Sequence, residues 1–410
     1  MARFASLFLG VFLLLAGFGL SASLVSLTLA QRDLTSWVGW VGAAYFVGLG
    51  LGSLRGAAIV ARVGVLRAYG VLSAIGCLGI LMLVVVDHPL AWLLARALQG
   101  VALGGLYVCI ESWLGASVEA SSRGWVLGVY QVVVYLGLGV GQLLMGALAF
   151  DLGTALVVAA MCLCLAALPV GSTRQVPPDL DDTVALGLRE LWGLASVGLV
   201  GAAVSGVTTG AVYAVAPAAG VVAGLDDGQV AWFMASFIGG GLVLQMPLGK
   251  ASDVLDRRLV LAATGALTAV GALLSMMMLG RPGALIAVAA FQGGWVFAIY
   301  AIALAYTFDR VPPSRALPAN ATLLLVFCGG SVLGSSSSSA LLATVGPVGF
   351  FSVFVVAGTV LAAVALRAAR RFDPVPDALQ HDAVMMPRTS PVAGELLPVE
   401  VTEERAAPVA

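Results

Sequence analysis

The sequence predicts an all-α membrane protein with about twelve transmembrane helices in two pseudo-symmetric six-helix halves. Three observations predict it. The chain is 60% hydrophobic and only 10% charged, whereas a water-soluble domain carries about 25% charged residues. So few charges cannot cover a surface facing water, and lipid as solvent removes that demand. Apolar stretches long enough to cross a bilayer recur along the chain, near 4–29, 35–60, 68–86, 89–116, 122–148, 152–171, 191–221, 227–251, 259–280, 283–308, 316–343 and 347–369. These runs are continuous and do not alternate, which favours helices over a barrel.

The third observation is the placement of the cations. With the N-terminus cytoplasmic, the inner segments hold Arg3; Arg55, Arg62 and Arg67; Arg123; Arg174 and Arg189; Lys250, Arg257 and Arg258; Arg310 and Arg315; and Arg367, Arg370 and Arg371. Those are 15 cations, against Arg32 and Arg281 outside. Basic residues concentrate in cytoplasmic loops, so the asymmetry predicts both termini cytoplasmic, in a bacterial-type inner membrane. Trp37, Trp92 and Trp232 at outer ends, and Trp113, Trp125 and Trp192 at inner ones, are expected at the lipid–water boundary.

The first apolar run, from Phe4 to Leu29, exceeds the 7–15 residues of a cleaved signal core and reads as a retained helix. A polar segment at 172–190 with Pro177-Pro178 divides six helices from six. The domains expected are a bundle at 1–171, a cytoplasmic linker at 172–190, a second bundle at 191–370, and a tail at 371–410. The tail is rich in Pro, Glu and Asp, a composition that favours disorder. The halves share a repeat at an offset of 193. Ala97-Leu98-Gln99-Gly100 with Tyr107 matches Ala290-Phe291-Gln292-Gly293 with Tyr300. The same offset aligns Gly56 with Gly249, Gly48 with Gly241, and Gly137 and Gly141 with Gly330 and Gly334.

The segment Gly249-Lys-Ala-Ser-Asp253-Val-Leu-Asp256-Arg257-Arg258 resembles the cytoplasmic loop signature of the major facilitator superfamily. Gly249, Asp253, Arg257 and Arg258 match; Val254 and Asp256 depart from it. The first-half copy, Gly56 to Arg67, keeps basic residues and a glycine but lacks the acid. The region from Arg96 through Gln142, with Gln99-Gly100 and Glu111-Ser112-Trp113-Leu114, is similar to the YcaD-like branch. The resemblance spans about residues 4–370 and implies gradient-driven transport of a small molecule. Its loop signature implies that Asp253 pairs with Arg257 and Arg258 to hold a gating state.

Within the helices, ionisable groups carry the functional expectation, because a charge at mid-bilayer costs about 2.5–3.5 kcal/mol and must face protein or water. Arg96 is a candidate for an anionic substrate or proton coupling. Glu111 lies about 22 Å further along the same helix at 1.5 Å per residue, so the two cannot pair. It falls within reach of Arg62, Arg67 or Arg123, as a structural or gating pair. Gln99 and Gln292 with Tyr107 and Tyr300, then Tyr130, Gln131 and Tyr213, are candidate cavity residues. Against this, glutamine also serves as glue between helices.

Other classes find little support. The net charge of −1 offers nothing to nucleic acid. Five cysteines sit in apolar runs at no zinc-like spacing, and two histidines argue against a histidine metal site. Gly137-Leu-Gly139-Val-Gly141 follows no strand and is not a dinucleotide loop. Gly249-Lys250 lacks the remainder of a nucleotide loop. The chain is therefore expected to be no enzyme, to hold no cofactor, and to act as a monomer in lipid. Protons are the candidate coupling ion. The alternative is a membrane sensor or binding protein with a transporter fold.

Overall fold

The computed structural model describes residues 4–118, 123–147, 151–171 and 185–371. Arg3, Arg174, the Arg123 side chain, most of the expected linker (172–184) and the expected tail after Arg371 lie outside the described residues. Twelve helices among the described residues are long and apolar enough to cross a membrane. They are α1 (Ala5–Gln31), α2 (Thr35–Val63), α3 (Val65–Val85), α4 (Pro89–Ser117), α5 (Arg123–Ala147), α6 (Leu152–Gly171), α7 (Leu188–Val222), α8 (Asp227–Val254), α9 (Arg257–Met277), α10 (Pro282–Phe308), α11 (Ala316–Val345) and α12 (Pro347–Arg371). Every boundary falls within three residues of its expected position.

Local chemistry explains the ends. Pro89 and Pro282 open α4 and α10, where a missing N–H costs nothing. Asp226 and Gln229 close a reciprocal capping box at the start of α8. Gly64, at φ 83°, makes the one-residue turn between α2 and α3, a backbone that side-chain-bearing residues rarely adopt. Helix α7 starts three residues before the expected span and kinks at Ala195. The end of the expected linker is thus helical. It is fastened to α11 by the Leu186 N–H on the Pro318 carbonyl and by the Thr322 hydroxyl on the Leu186 carbonyl.

Short connections make successive helices antiparallel. The end where α1 begins and α12 finishes is called proximal, and the other distal. Each half repeats one packing scheme: α2 beside α4 and α8 beside α10; α1 beside α5 and α7 beside α11; α3 beside α6 and α9 beside α12. Small residues let these backbones touch. A side chain on Gly48 would strike the Ala97 carbonyl, and one on Gly100 the Tyr45 carbonyl; Gly240 and Gly293 meet Ala290 and Phe237 in the same way. Gly137 and Gly141 abut the Phe12 and Ala16 carbonyls as Gly330 and Gly334 abut those of Ala203 and Val207. Two alignments from the sequence are corrected. Gly48 corresponds to Gly240, not Gly241, because α2 and α8 are offset by 192 while α4 and α10 are offset by 193. At the α2–α8 offset Gly56 falls opposite Leu248 rather than Gly249. The connections between helices differ in length, so no single offset serves the whole chain.

Two tryptophans also differ from expectation. Trp92 and Trp113 are buried, and the Trp92 indole donates to the Val86 carbonyl at 3.0 Å. Trp125, Trp192 and Trp232 are more than half exposed, as residues at the edge of a bilayer are.

Candidate functional site

The halves meet through α1 with α7, α2 with α7 and α11, and α5 with α8. Between them lies a cavity of about 870 Å³, adjoining open space included. Its walls come from both halves. From the first come Phe18, Tyr45, Phe46, Arg96, Tyr107, Gln131, Tyr135 and Gln142, with aliphatic residues between them. Thr209, Tyr213 and Phe327 come from the second. Four of the eight residues expected at a substrate site therefore share this wall: Arg96, Tyr107, Gln131 and Tyr213.

Arg96 is only 4% exposed. One terminal nitrogen donates to the Gln99 side-chain oxygen at 2.6 Å, and the guanidinium lies 4.4 Å from the Tyr45 ring centroid. Such stacking supports a cation by about 0.5–2 kcal/mol, most when desolvated. The same Gln99 oxygen accepts from Ser21 at 3.2 Å, tying α4 to α1.

The other four expected residues stand off the wall. Gln99 and Gln292 are fully buried and face neighbouring helices; Gln292 accepts from Ser275 of α9 at 3.2 Å. Tyr130 is buried behind the wall. Tyr300 packs edge-on against Phe327 at 5.4 Å and so backs a wall residue. Helix geometry explains the split. At 3.6 residues per turn, Tyr107 is only about 20° around from Arg96 but about 80° from Gln99. Gln99 and Tyr107 thus do not share a face.

Tyr45, Tyr135, Gln142 and Thr209 were not anticipated from the sequence. The signal was periodicity: Gln131, Tyr135, Leu138 and Gln142 recur at spacings of four, three and four, one face of α5. Tyr135 also reaches across to the second half, where its hydroxyl donates to Gln245 at 2.5 Å.

The distal end is closed by contacts between the halves. The Gln31 side chain donates to Asp227 at 3.0 Å, the Ala218 N–H to Ser26 at 3.3 Å, and the Ser339 hydroxyl to the Thr35 carbonyl at 2.6 Å. Gly39 sits directly against Ser335 and Ser339. The serine run of α11 therefore forms part of a seam.

The proximal charges form a network centred on α9. Arg257 lies 3.4 Å from Asp253 and 3.0 Å from Asp309. Arg258 pairs with Asp256 at 2.7 Å and donates to the Ala368 carbonyl of α12 at 3.2 Å. The expected pairing of Asp253 with Arg257 is present. Arg258 instead takes Asp256, the residue that departs from the loop signature, and Asp309 is an unanticipated partner. Burial works against the Asp256 charge, but the Arg258 guanidinium and backbone N–H outweigh it and hold the carboxyl below its usual range. In the first half, Glu111 is fully buried, while Arg62 and Arg67 are exposed.

Comparison with known proteins fits this architecture. The family model described as Major Facilitator Superfamily matches twice, over residues 7–196 and 197–397. An uncharacterised MFS-type transporter of Enterobacter sp. (strain 638) is 32% identical over 340 residues, covering 81% of this chain and 87% of the relative. The MFS-type transporter YcaD of Escherichia coli O7:K1 is 30% identical over the same length and shares. Among solved structures, a D-xylose–proton symporter superposes with a TM-score of 0.71 at 12% identity, covering 91% of this chain and 98% of that one. The nucleoside transporter NupG gives 0.65 at 15%, covering 90% and 99%. Both halves are matched in turn, so the chain belongs to the major facilitator superfamily, a family of membrane transporters rather than enzymes.

Proposed function

We propose that this protein is a secondary active transporter that carries a small molecule through the cavity between its halves. The observation that supports this best is the cavity's position, walled by both halves and sealed distally by contacts between them. Rocking of 4–171 against 185–371 would break the distal seam and expose the cavity to the other side. The positive-inside asymmetry favours a cytoplasmic proximal end, and with that orientation the closed distal seam fits an inward-facing state. Among the described residues no Asp or Glu lines the cavity, which favours a neutral or anionic substrate over a dication. Protons are the proposed coupling ion.

The test is transport by purified protein in liposomes under an imposed proton gradient. Accumulation of a library compound that collapses with a protonophore supports the reading. Ligand binding without movement of any bound compound would instead favour a membrane sensor built on this fold.

A further inference from the structure

Resting on that transport reading, we infer that the substrate is an aromatic organic acid, held with its carboxylate on Arg96 and its ring among the tyrosines and phenylalanines of the cavity.

Two features of the wall carry this. The first is the state of Arg96. A guanidinium keeps its charge and offers five N–H donors in a planar fork. Among the described residues, only one of those donors is hydrogen-bonded, to Gln99, and the positive charge faces no carboxylate within ion-pair distance. Gln99 and Tyr45 hold the group in place but neutralise nothing. A buried cation beside a cavity without an acid is a site for an anion. The fork matches a carboxylate in two-point contact. An amine would meet like charge instead.

The second feature is the lining. Seven of the 17 lining residues are aromatic, against 8% of the whole chain. Tyr45, Tyr107, Phe18, Tyr213 and Phe327 surround the space beside Arg96 from both halves. Rings offer edge-to-face and offset contacts beyond simple burial, which an aliphatic chain of equal size does not collect. Gln131 and Thr209 add neutral hydrogen-bonding groups, as the few placed polar groups of a small-molecule pocket do.

The experiment uses full-length protein in lipid nanodiscs and four probes of similar size: 3-phenylpropanoate, its amide, 3-phenylpropylamine, and an aliphatic acid of equal carbon number. Titration calorimetry is expected to give the aromatic acid a Kd at least tenfold below each of the others. Arg96→Gln should abolish the preference for acid over amide, with Arg96→Lys keeping part of it. Because Arg96 variants can disturb packing, Tyr213→Leu serves as the second variant. It should erase the preference for aromatic over aliphatic acid and leave acid over amide intact. Equal or tighter binding of the amine or amide to wild-type protein overturns the inference, as does no binding of any probe by folded protein. Counterflow in liposomes is read separately. A different compound class that is transported removes the aromatic acid and keeps transport. An aromatic acid bound but never moved keeps the ligand class and removes transport.

Discussion

Gln99 and Gln292, 193 residues apart, each press a side chain against a glycine of the neighbouring helix: Gly79 of α3 for the first, Gly271 of α9 for the second. The repeat therefore preserves a packing contact. What has diverged is the neighbour one turn earlier, Arg96 in one half and Ala289 in the other.

This divergence sets the first prediction. Gln292→Leu removes one hydrogen bond between helices, worth about 0.6 kcal/mol and at most about 1.7 in a membrane. A small drop in melting temperature with transport retained is expected. Gln99→Leu also removes the acceptor that aims Arg96, so transport should fall at least tenfold. Paired melting and liposome assays check this, and equal transport loss in both variants would contradict it.

Asp309 should matter more to stability than Asp253, although only Asp253 belongs to the loop signature. The Asp309 side chain is 2% exposed and 3.0 Å from Arg257, against 25% and 3.4 Å for Asp253. Removing one partner of a buried pair costs about 3–5 kcal/mol, whereas the longer contact to the partly exposed Asp253 is weakened by solvent screening and costs less to lose. Thermal denaturation of Asp309→Ala and Asp253→Ala in detergent should rank them in that order.

The Asp256–Arg258 pair predicts an acid-sensitive stability. A carboxyl whose folded pKa lies below its unfolded value stabilises fully above the ordinary carboxylate range. That contribution disappears as pH falls through the range and below it. Melting temperatures between pH 3 and 7 should fall at the acid end, and by less in Asp256→Asn, whose side chain does not titrate. Identical slopes for the two proteins would refute the assignment.

The distal seam leaves no room at Gly39, where an added carbon would press on Ser335 and Ser339. Gly39→Phe should hold the halves apart there and leave the fold intact. In a cysteine-free background, a cysteine at Tyr213 should then be labelled by an impermeant reagent from the distal side. No labelling from a monodisperse variant would remove the seam from the gating account.

The glycine of the loop signature gives a contrasting case. No heavy atom lies within 4 Å of a carbon added at Gly249, while one on Gly56 would press on Val108. Gly249→Ala should therefore be neutral or raise stability by up to about 1 kcal/mol, the helix-propensity gain over glycine. Gly56→Leu should lower the yield of folded protein. Size-exclusion profiles and melting curves distinguish the two.

The helices were legible because hydropathy acts over windows of about 20 residues, and no tertiary contact can override the need to satisfy backbone groups in lipid. Arg96 was legible for the same reason, as a charge where charges are costly. The rotation of each helix was harder to read. An internal helix such as α4 is apolar nearly all round, so its pattern does not say which side meets the cavity and which meets α3. Gln99 looked like a cavity residue on that account. Asp309 was missed because its partner, Arg257, lies 52 positions away across two helices, and local spacing carries no trace of such a pair.

Arg96 sits on α4, in the first half, while Tyr213 and Phe327 stand on α7 and α11 in the second. In a rocking motion the cation travels with one body and these rings with the other. The charge that a ligand would meet is therefore carried by the first half alone, while the rings that would meet its bulk are divided between both. Exchange of the segment from 185 to 371 between related proteins should then alter which body shapes are accepted while leaving the sign of the charge unchanged.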